Sequence, residues 1–161
     1  MGIPDLLRSC PVFFDLYEDE VEKIVRTCPV RIWDQGNLIR EEGSADENIY
    51  VLLTGQAEVC KTAPGGRILV QELVSGDVFG LVSILGEKTC QADVVAAGPC
   101  QVLEISHETI FRLYKKESAV FGLMMLNISR LLSRRIVAAN DVIARLRHTP
   151  RLRAIKDPEA A

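Results

Sequence analysis

Between Val30 and Ile105 the apolar residues come in short runs of alternate spacing, and nearly every run stops at glycine or proline. Gly36, Gly43, Gly55, Pro64-Gly65-Gly66, Gly76 and Gly98-Pro99 supply the stops. A period of two is the mark of a strand with one buried face, and glycine provides the positive-φ positions that tight hairpins need. The pattern predicts strands near Val30–Trp33, Leu38–Arg40, Ile49–Leu53, Ala57–Lys61, Ile68–Leu73, Asp77–Phe79, Ala92–Ala97 and Gln101–Ile105. Strands this short and this numerous point to a mainly β fold, a closed or nearly closed antiparallel barrel such as a jelly roll, over residues 29–106.

The period changes at both ends. Residues 1–28 read as an N-terminal helical segment, helical from Asp5 to Cys28, with Pro11 breaking it near its start and Glu18-Asp19-Glu20 placed where a helix N-terminus favours negative charge. Residues 107–147 read as C-terminal helices. The first runs from His107 to Lys116 with Ser106 as N-cap, and the second from about Ser118 to about Arg147. At 1.5 Å per residue the second would be roughly 45 Å long, more than a small barrel needs for cover. The tail, 148–161, carries two prolines and mixed charge and is expected to be mobile.

Bulk composition bounds the partners. A chain of 161 residues that is 48% apolar suits one compact core. The net charge of -3 argues against nucleic-acid binding by the chain as a whole, because affinity for a phosphate backbone comes from clustered Lys and Arg. Five scattered cysteines and the lack of a signal peptide point to a reducing cytoplasm. His107 and His148 lie far from any cysteine cluster, so no metal site is expected. No stretch approaches the roughly 20 apolar residues of a membrane span; the best, Ala119 to Ile128, includes Asn127. No nucleophile–base pair or paired carboxylates stand out, which points away from an enzyme.

The motifs lie inside the β region. Gly36-x-x-Ile39-x-x-Glu42-Gly43 precedes Asp46 and Tyr50-Val51-Leu52-Leu53-x-Gly55. Leu73-x-x-Gly76-Asp77-x-Phe79-Gly80 leads into Leu81-Val82-Ser83-Ile84-Leu85, and Thr89-Cys90-Gln91-Ala92 follows. This run, in register from Gly36 to Ala96, resembles the cyclic-nucleotide-binding domain family, and with the flanking helices the likeness covers about residues 5 to 145. The stretch 79–92 is similar to that family's phosphate-binding cassette, which usually reads Phe-Gly-Glu, a short aliphatic turn, then Arg-x-Ala. The resemblance places the ligand against Phe79, Gly80, Leu81, Val82, Ser83, Cys90, Gln91 and Ala92, and implies a cyclic nucleotide or another small anion as ligand.

Two cassette positions depart from the family. Leu81 stands where the glutamate that accepts from the ribose hydroxyl would be, and Cys90 where the arginine that forks onto the phosphate would be. Removing one partner of a buried, charged hydrogen-bonded pair costs about 2–5 kcal/mol, roughly 30- to several-thousand-fold in affinity. The ordinary cyclic-AMP mode is therefore not expected. Main-chain donors beside Gly80, the Gln91 amide and Lys88 remain to meet an anion, whereas Asp93 would repel one. Leu81 is expected to fill the former ribose pocket. Cys90 fills space as an unreactive thiol, or, as the sharper alternative, acts as a redox sensor activated by nearby donors.

In the long helix, Phe121, Met125, Ile128, Leu132, Arg135, Ala139, Val142 and Leu146 step by four and three, the spacing of a coiled-coil seam. The first half is expected to cover the core and the second to pair with a second copy of the chain. Arg130, Arg134, Arg135, Arg145, Arg147, Arg151 and Arg153 make this end basic. Family transcription factors carry a DNA-reading helix-turn-helix after this helix, and none is expected before Ala161. The expectation is a non-enzymatic, dimeric, cyclic-nucleotide-binding-like regulatory domain with an atypical ligand. The alternatives are a ligand-free dimerisation or docking module and a weak cyclic-nucleotide-binding signalling protein.

Overall fold

The computed structural model describes residues 3–86 and 89–147. Two short helices, α1 (Ile3–Ser9) and α2 (Glu18–Val25), flank a 3-10 turn at Pro11–Phe13. Eight strands follow: β1 (Val30–Trp33), β2 (Leu38–Arg40), β3 (Ile49–Thr54), β4 (Gln56–Ala63), β5 (Gly66–Val74), β6 (Val78–Phe79), β7 (Asp93–Ala96) and β8 (Cys100–Ile105). A one-turn helix, α3 (Leu81–Ile84), separates β6 from β7, and α4 (His107–Lys116) and α5 (Ser118–Arg147) end the described chain. The strands form two four-stranded antiparallel sheets, ordered β1-β8-β3-β6 and β2-β7-β4-β5. This is a jelly-roll β fold with flanking helices and a long C-terminal helix.

The inner strands of the first sheet, β8 and β3, are covered on both faces, and their alternation shows how. In β3, Ile49, Val51 and Leu53 point into a core shared with the helices, while Tyr50 and Leu52 point into the barrel. In β8, Leu103 and Ile105 join the helical core, and Cys100 and Val102 the barrel interior. Successive strand side chains face opposite ways, so two different partners must cover such a sheet. Here they are the second sheet on one side and α1, α2, α4 and the start of α5 on the other. The helical core is filled by Phe13, Ile24, Ile110, Met124 and Ile128, the barrel interior by Ile39, Leu73, Phe79 and Val94.

The helical ends follow from local chemistry. The N-terminal segment is in three pieces: Pro11 has no N–H to continue a helix from α1, and Asp15, at φ +63°, separates the 3-10 turn from α2. Its second helix is held at its start by the Glu20 carboxylate, which accepts from the Tyr17 amide at 2.8 Å. The Ser106 hydroxyl accepts from the Thr109 amide at 3.2 Å and caps α4. Asn127 of α5 is buried and donates to the Phe14 carbonyl at 2.6 Å, joining the long helix to the N-terminal turn. Among the described residues no helix is long and apolar enough to cross a membrane.

The eight seam positions of α5 have different surroundings. Ile128 is wholly enclosed in the chain's own core, and Phe121, Met125 and Leu132 are half-buried against the same cluster. Arg135 turns toward the barrel. Ala139, Val142 and Leu146 lie open, in a stretch where every residue from Ile136 to Arg147 is exposed. The tail from residue 148, with the mobility expected of it, lies outside the described residues.

Candidate functional site

The site is built where β6 ends. Gly80 adopts φ +81° as the left-handed residue before α3, and a Cβ there would lie 2.4 Å from the Asn48 carbonyl and 2.9 Å from Arg40 Nη1. Only glycine admits both the backbone conformation and the approach. The chain then turns through Leu81–Ile84, setting Leu81 and Ser83 inward and Val82 outward. Leu81 is 1% exposed and belongs to the helical core. Its apolar side chain therefore occupies this position by packing and offers no acceptor to a ligand.

A buried arginine forms the floor. Arg40, on β2, is 7% exposed; its Nε donates to Asp46 Oδ2 at 2.8 Å and its Nη2 to the Asp46 carbonyl at 2.7 Å and to Ser83 Oγ at 2.9 Å. The same Asp46 oxygen accepts from the Tyr50 hydroxyl at 2.8 Å, and Asp46 Oδ1 accepts from the Asn48 amide at 2.9 Å. The guanidinium carbon lies 5.4 Å from the centre of the Tyr50 ring, which stacks on Phe79 with centroids 5.1 Å apart. A buried cation needs a paired anion, and Asp46 supplies it; the three bonds are made by Nε and Nη2, and Nη1 makes none among the described residues. Burial pushes the Tyr50 phenol pKa upward, so it stays a donor to Asp46.

Beside this network lies a cleft of about 140 Å³ between the second sheet, α3 and α5. Arg40 and Ser83 reach it from below and Arg135 from α5, while Val59, Leu73 and Val94 give it apolar walls. Arg135 Nη2 donates to the Val78 carbonyl at 2.6 Å, its one hydrogen bond among the described residues. Burial pushes the Arg135 pKa down, opposed by the nearby Asp77 charge. Among the described residues no acidic side chain lines the cleft. Gln71, Ser83 and Gln91 also line it, and two guanidinium groups beside a hollow of mixed lining are suited to an anion with a partly apolar body.

The residues expected at a ligand divide in two. Gly80, Leu81, Val82, Ser83, Gln91 and Ala92 border the cleft, as does Phe79. Cys90 does not; it is 2% exposed, and its sulfur lies 3.3 Å from the Ser44 hydroxyl. Enclosure of that kind bars solvent reagents from the thiol. Asp93 also turns away: its carboxylate accepts from the Glu42 amide at 2.7 Å and pairs with Arg67 at 2.8 Å, so it does not oppose an anion in the cleft. Gln91 uses its amide nitrogen on the Thr89 carbonyl at 3.1 Å. Lys88 and Glu87 lie outside the described residues.

Sequence reasoning missed Arg40 altogether and gave Arg135 a different role. A lone arginine following Ile39 in a short strand, six residues before Asp46, is the available signal for the first. For the second there was none, since helical spacing does not say which of two neighbours a side chain meets.

The sequence profile of the cyclic nucleotide-binding domain matches residues 30–117. Over 109 residues the chain is 30% identical to a cAMP-dependent protein kinase regulatory subunit of Eremothecium gossypii, covering 68% of this chain and 23% of that protein. Over 135 residues it is 26% identical to the cyclic AMP receptor protein of Thermus thermophilus, covering 83% of this chain and 61% of that one. The crystal structure of Thermus thermophilus catabolite activator protein superposes with a TM-score of 0.75 at 26% identity, over 84% of this chain and 62% of that one. A cyclic nucleotide-binding domain from Methylobacillus flagellatus shares the fold, with a TM-score of 0.79 at 20% identity over 88% of this chain and 80% of that one. The chain thus spans less than two thirds of these curated relatives, and less than a quarter of the kinase subunit. By profile, register and fold it belongs to the cyclic nucleotide-binding domain family.

Proposed function

We propose that the chain is a regulatory, ligand-sensing domain without catalytic activity, that it acts in the cytoplasm as a homodimer through α5, and that its cassette no longer holds cyclic AMP in the ordinary way. The observation that carries this reading is the pair of altered positions. Leu81 is committed to the core and Cys90 faces Ser44, while the cleft beside them stays open and cationic. A ligand in the cleft acts by differential affinity for two arrangements of α5. Arg135 supplies the physical link, because it joins the helix to the Val78 carbonyl at the entrance to the cassette. Relatives named as kinase regulatory subunits and as a cyclic AMP receptor protein support a regulatory role.

The test is titration calorimetry with cyclic AMP on the wild type and on the double variant Leu81→Glu/Cys90→Arg. Wild type should bind about 30-fold or more weakly than the double variant. The variant should also be less stable when empty, because the glutamate introduced in place of Leu81 would be a carboxylate buried without a partner until a ribose hydroxyl arrives. Tight, saturable binding by the wild type would overturn the proposal.

A second reading, a ligand-free dimerisation or docking module, is favoured by the exposed apolar end of α5, where Ile136, Val137, Val142, Ile143 and Leu146 face solvent. Thermal melting with cyclic AMP, cyclic GMP and other small anions separates the two. A ligand at 100 times its dissociation constant adds about 2.7 kcal/mol, or about 5–10 °C for a chain of this size.

A further inference from the structure

We propose that the cleft takes a small organic monoanion, a ring-sized apolar body bearing one carboxylate, and that Arg135 is the residue that binds the carboxylate. The inference rests on the reading above that the cleft is a ligand site, and it names the ligand class and a binding residue outside the cassette.

Three observations converge on it. The first is size. A cavity of about 150 Å³ lined by apolar side chains takes up benzene, whereas pockets for drug-sized ligands run from about 300 to 1,000 Å³. At about 140 Å³ the cleft has room for one ring, and a whole nucleotide would extend beyond its mouth.

The second is charge. Arg40 is already neutralised by Asp46, with Nε and Nη2 both engaged. Arg135 is not neutralised: among the described residues no carboxylate lies within ion-pair distance, and one of its five N–H donors is used, on the Val78 carbonyl. A half-buried guanidinium with free donors, on which Asp77 acts only from beyond ion-pair distance, is matched by a carboxylate, which accepts from it in a planar two-pronged pair.

The third is what the cleft lacks. Leu81 and the apolar walls Val59, Leu73, Phe79 and Val94 provide no carboxylate to accept from a sugar diol. They do provide surface for a hydrocarbon ring. The apolar body would lie against these walls, with its carboxylate directed at the α5 side.

Benzoate is the probe, with benzamide as its neutral isostere and cyclic AMP as the nucleotide comparator, titrated into the full chain by calorimetry and by thermal melting. Benzoate should bind saturably and raise the melting temperature, and benzamide should bind about tenfold or more weakly. Arg135→Ala should lose about tenfold or more in benzoate affinity. Arg135→Lys should recover part of the loss, since it restores the charge without the fork. Circular dichroism of both variants should match wild type. Equal affinity for benzamide, or unchanged benzoate affinity in Arg135→Ala, overturns the proposal. So does the absence of benzoate binding tighter than about 10 mM. If benzoate is silent while cyclic AMP binds the wild type or the Leu81→Glu/Cys90→Arg variant, this inference falls and the cleft remains a ligand site. If all probes are silent in all variants, the ligand-sensing reading falls with it.

Discussion

Gly80→Ala puts the construction of the cassette to a quantitative test, with Gly36→Ala as its control. Both glycines have nearly the same backbone angle, φ +81° and +83°. An L-residue in that left-handed region is strained by about 1–2 kcal/mol, and the alanine returns roughly 0.4–1 kcal/mol through the unfolded chain. The two sites differ in space. At Gly36 a Cβ meets nothing within 4 Å; at Gly80 it lies 2.4 Å from the Asn48 carbonyl and 3.3 Å from Tyr50 Cδ2.

The Asn48 carbonyl is main chain, anchored by the Asn48 amide's bond to Asp46, so it has little freedom to retreat. Overpacking at such a place costs about 1–3 kcal/mol. Gly80→Ala should therefore lose about 1–3 kcal/mol more than Gly36→Ala, which for a chain of this size means a melting temperature about 2–12 °C lower than the control's. Urea unfolding with an unchanged slope would show that native-state stability, rather than the compactness of the denatured state, has altered. Equal destabilisation of the two variants would refute the argument that close approach demands glycine at the cassette.

Three further outcomes are expected. Ile128→Asp should unfold or precipitate the protein, because it places an unpaired carboxylate in the sealed helical core. Val142→Asp should instead keep wild-type circular dichroism, melt within about 0.5 kcal/mol of wild type, and sediment as a smaller species; unchanged sedimentation would remove the far end of α5 from pairing. The Glu42 carboxylate is held at a pKa of about 2 by the Lys61 ammonium and the Thr62 amide. A depressed folded-state value stabilises above the ordinary carboxylate range, and the contribution fades as pH falls from about 4.5 toward 2. Urea midpoints at pH 7 and pH 3 should therefore differ less in Glu42→Gln than in wild type, and an identical difference would show that this contact does not affect folding.

The barrel was legible because two signals agreed. Alternating apolar residues marked the strands, and glycines at required left-handed positions marked their ends, so each of the eight strands falls where it was expected, with ends shifted by a residue or two. Pairing partners were not legible, since nothing local says that β8 lies between β1 and β3. The cassette was placed by its spacing, but the directions of its side chains were not. Cys90 and Asp93 are close to the cleft in sequence and turn from it because Ser44, Arg67 and the Glu42 amide hold them elsewhere. Arg40 escaped notice for a related reason. In a three-residue strand whose register shifts between Leu38 and Arg40, alternation gives no sound account of which way a side chain points. Along α5 the steps of four and three gave one stripe, and tertiary contacts divide it among the core, the cleft and solvent.

The clasp around Arg40 has a consequence for speed and selectivity. Because Asp46, Ser83 and Tyr50 already fix the position of that side chain, a guest would not have to order Arg40, and the usual entropic toll of about 0.5–1.5 kcal/mol per frozen side chain is avoided there. Arg135, secured at a single point on a long helix, is the wall that yields. An occupant pressing on the hollow would therefore meet three hydrogen bonds of resistance on the Arg40 side and one on the Arg135 side.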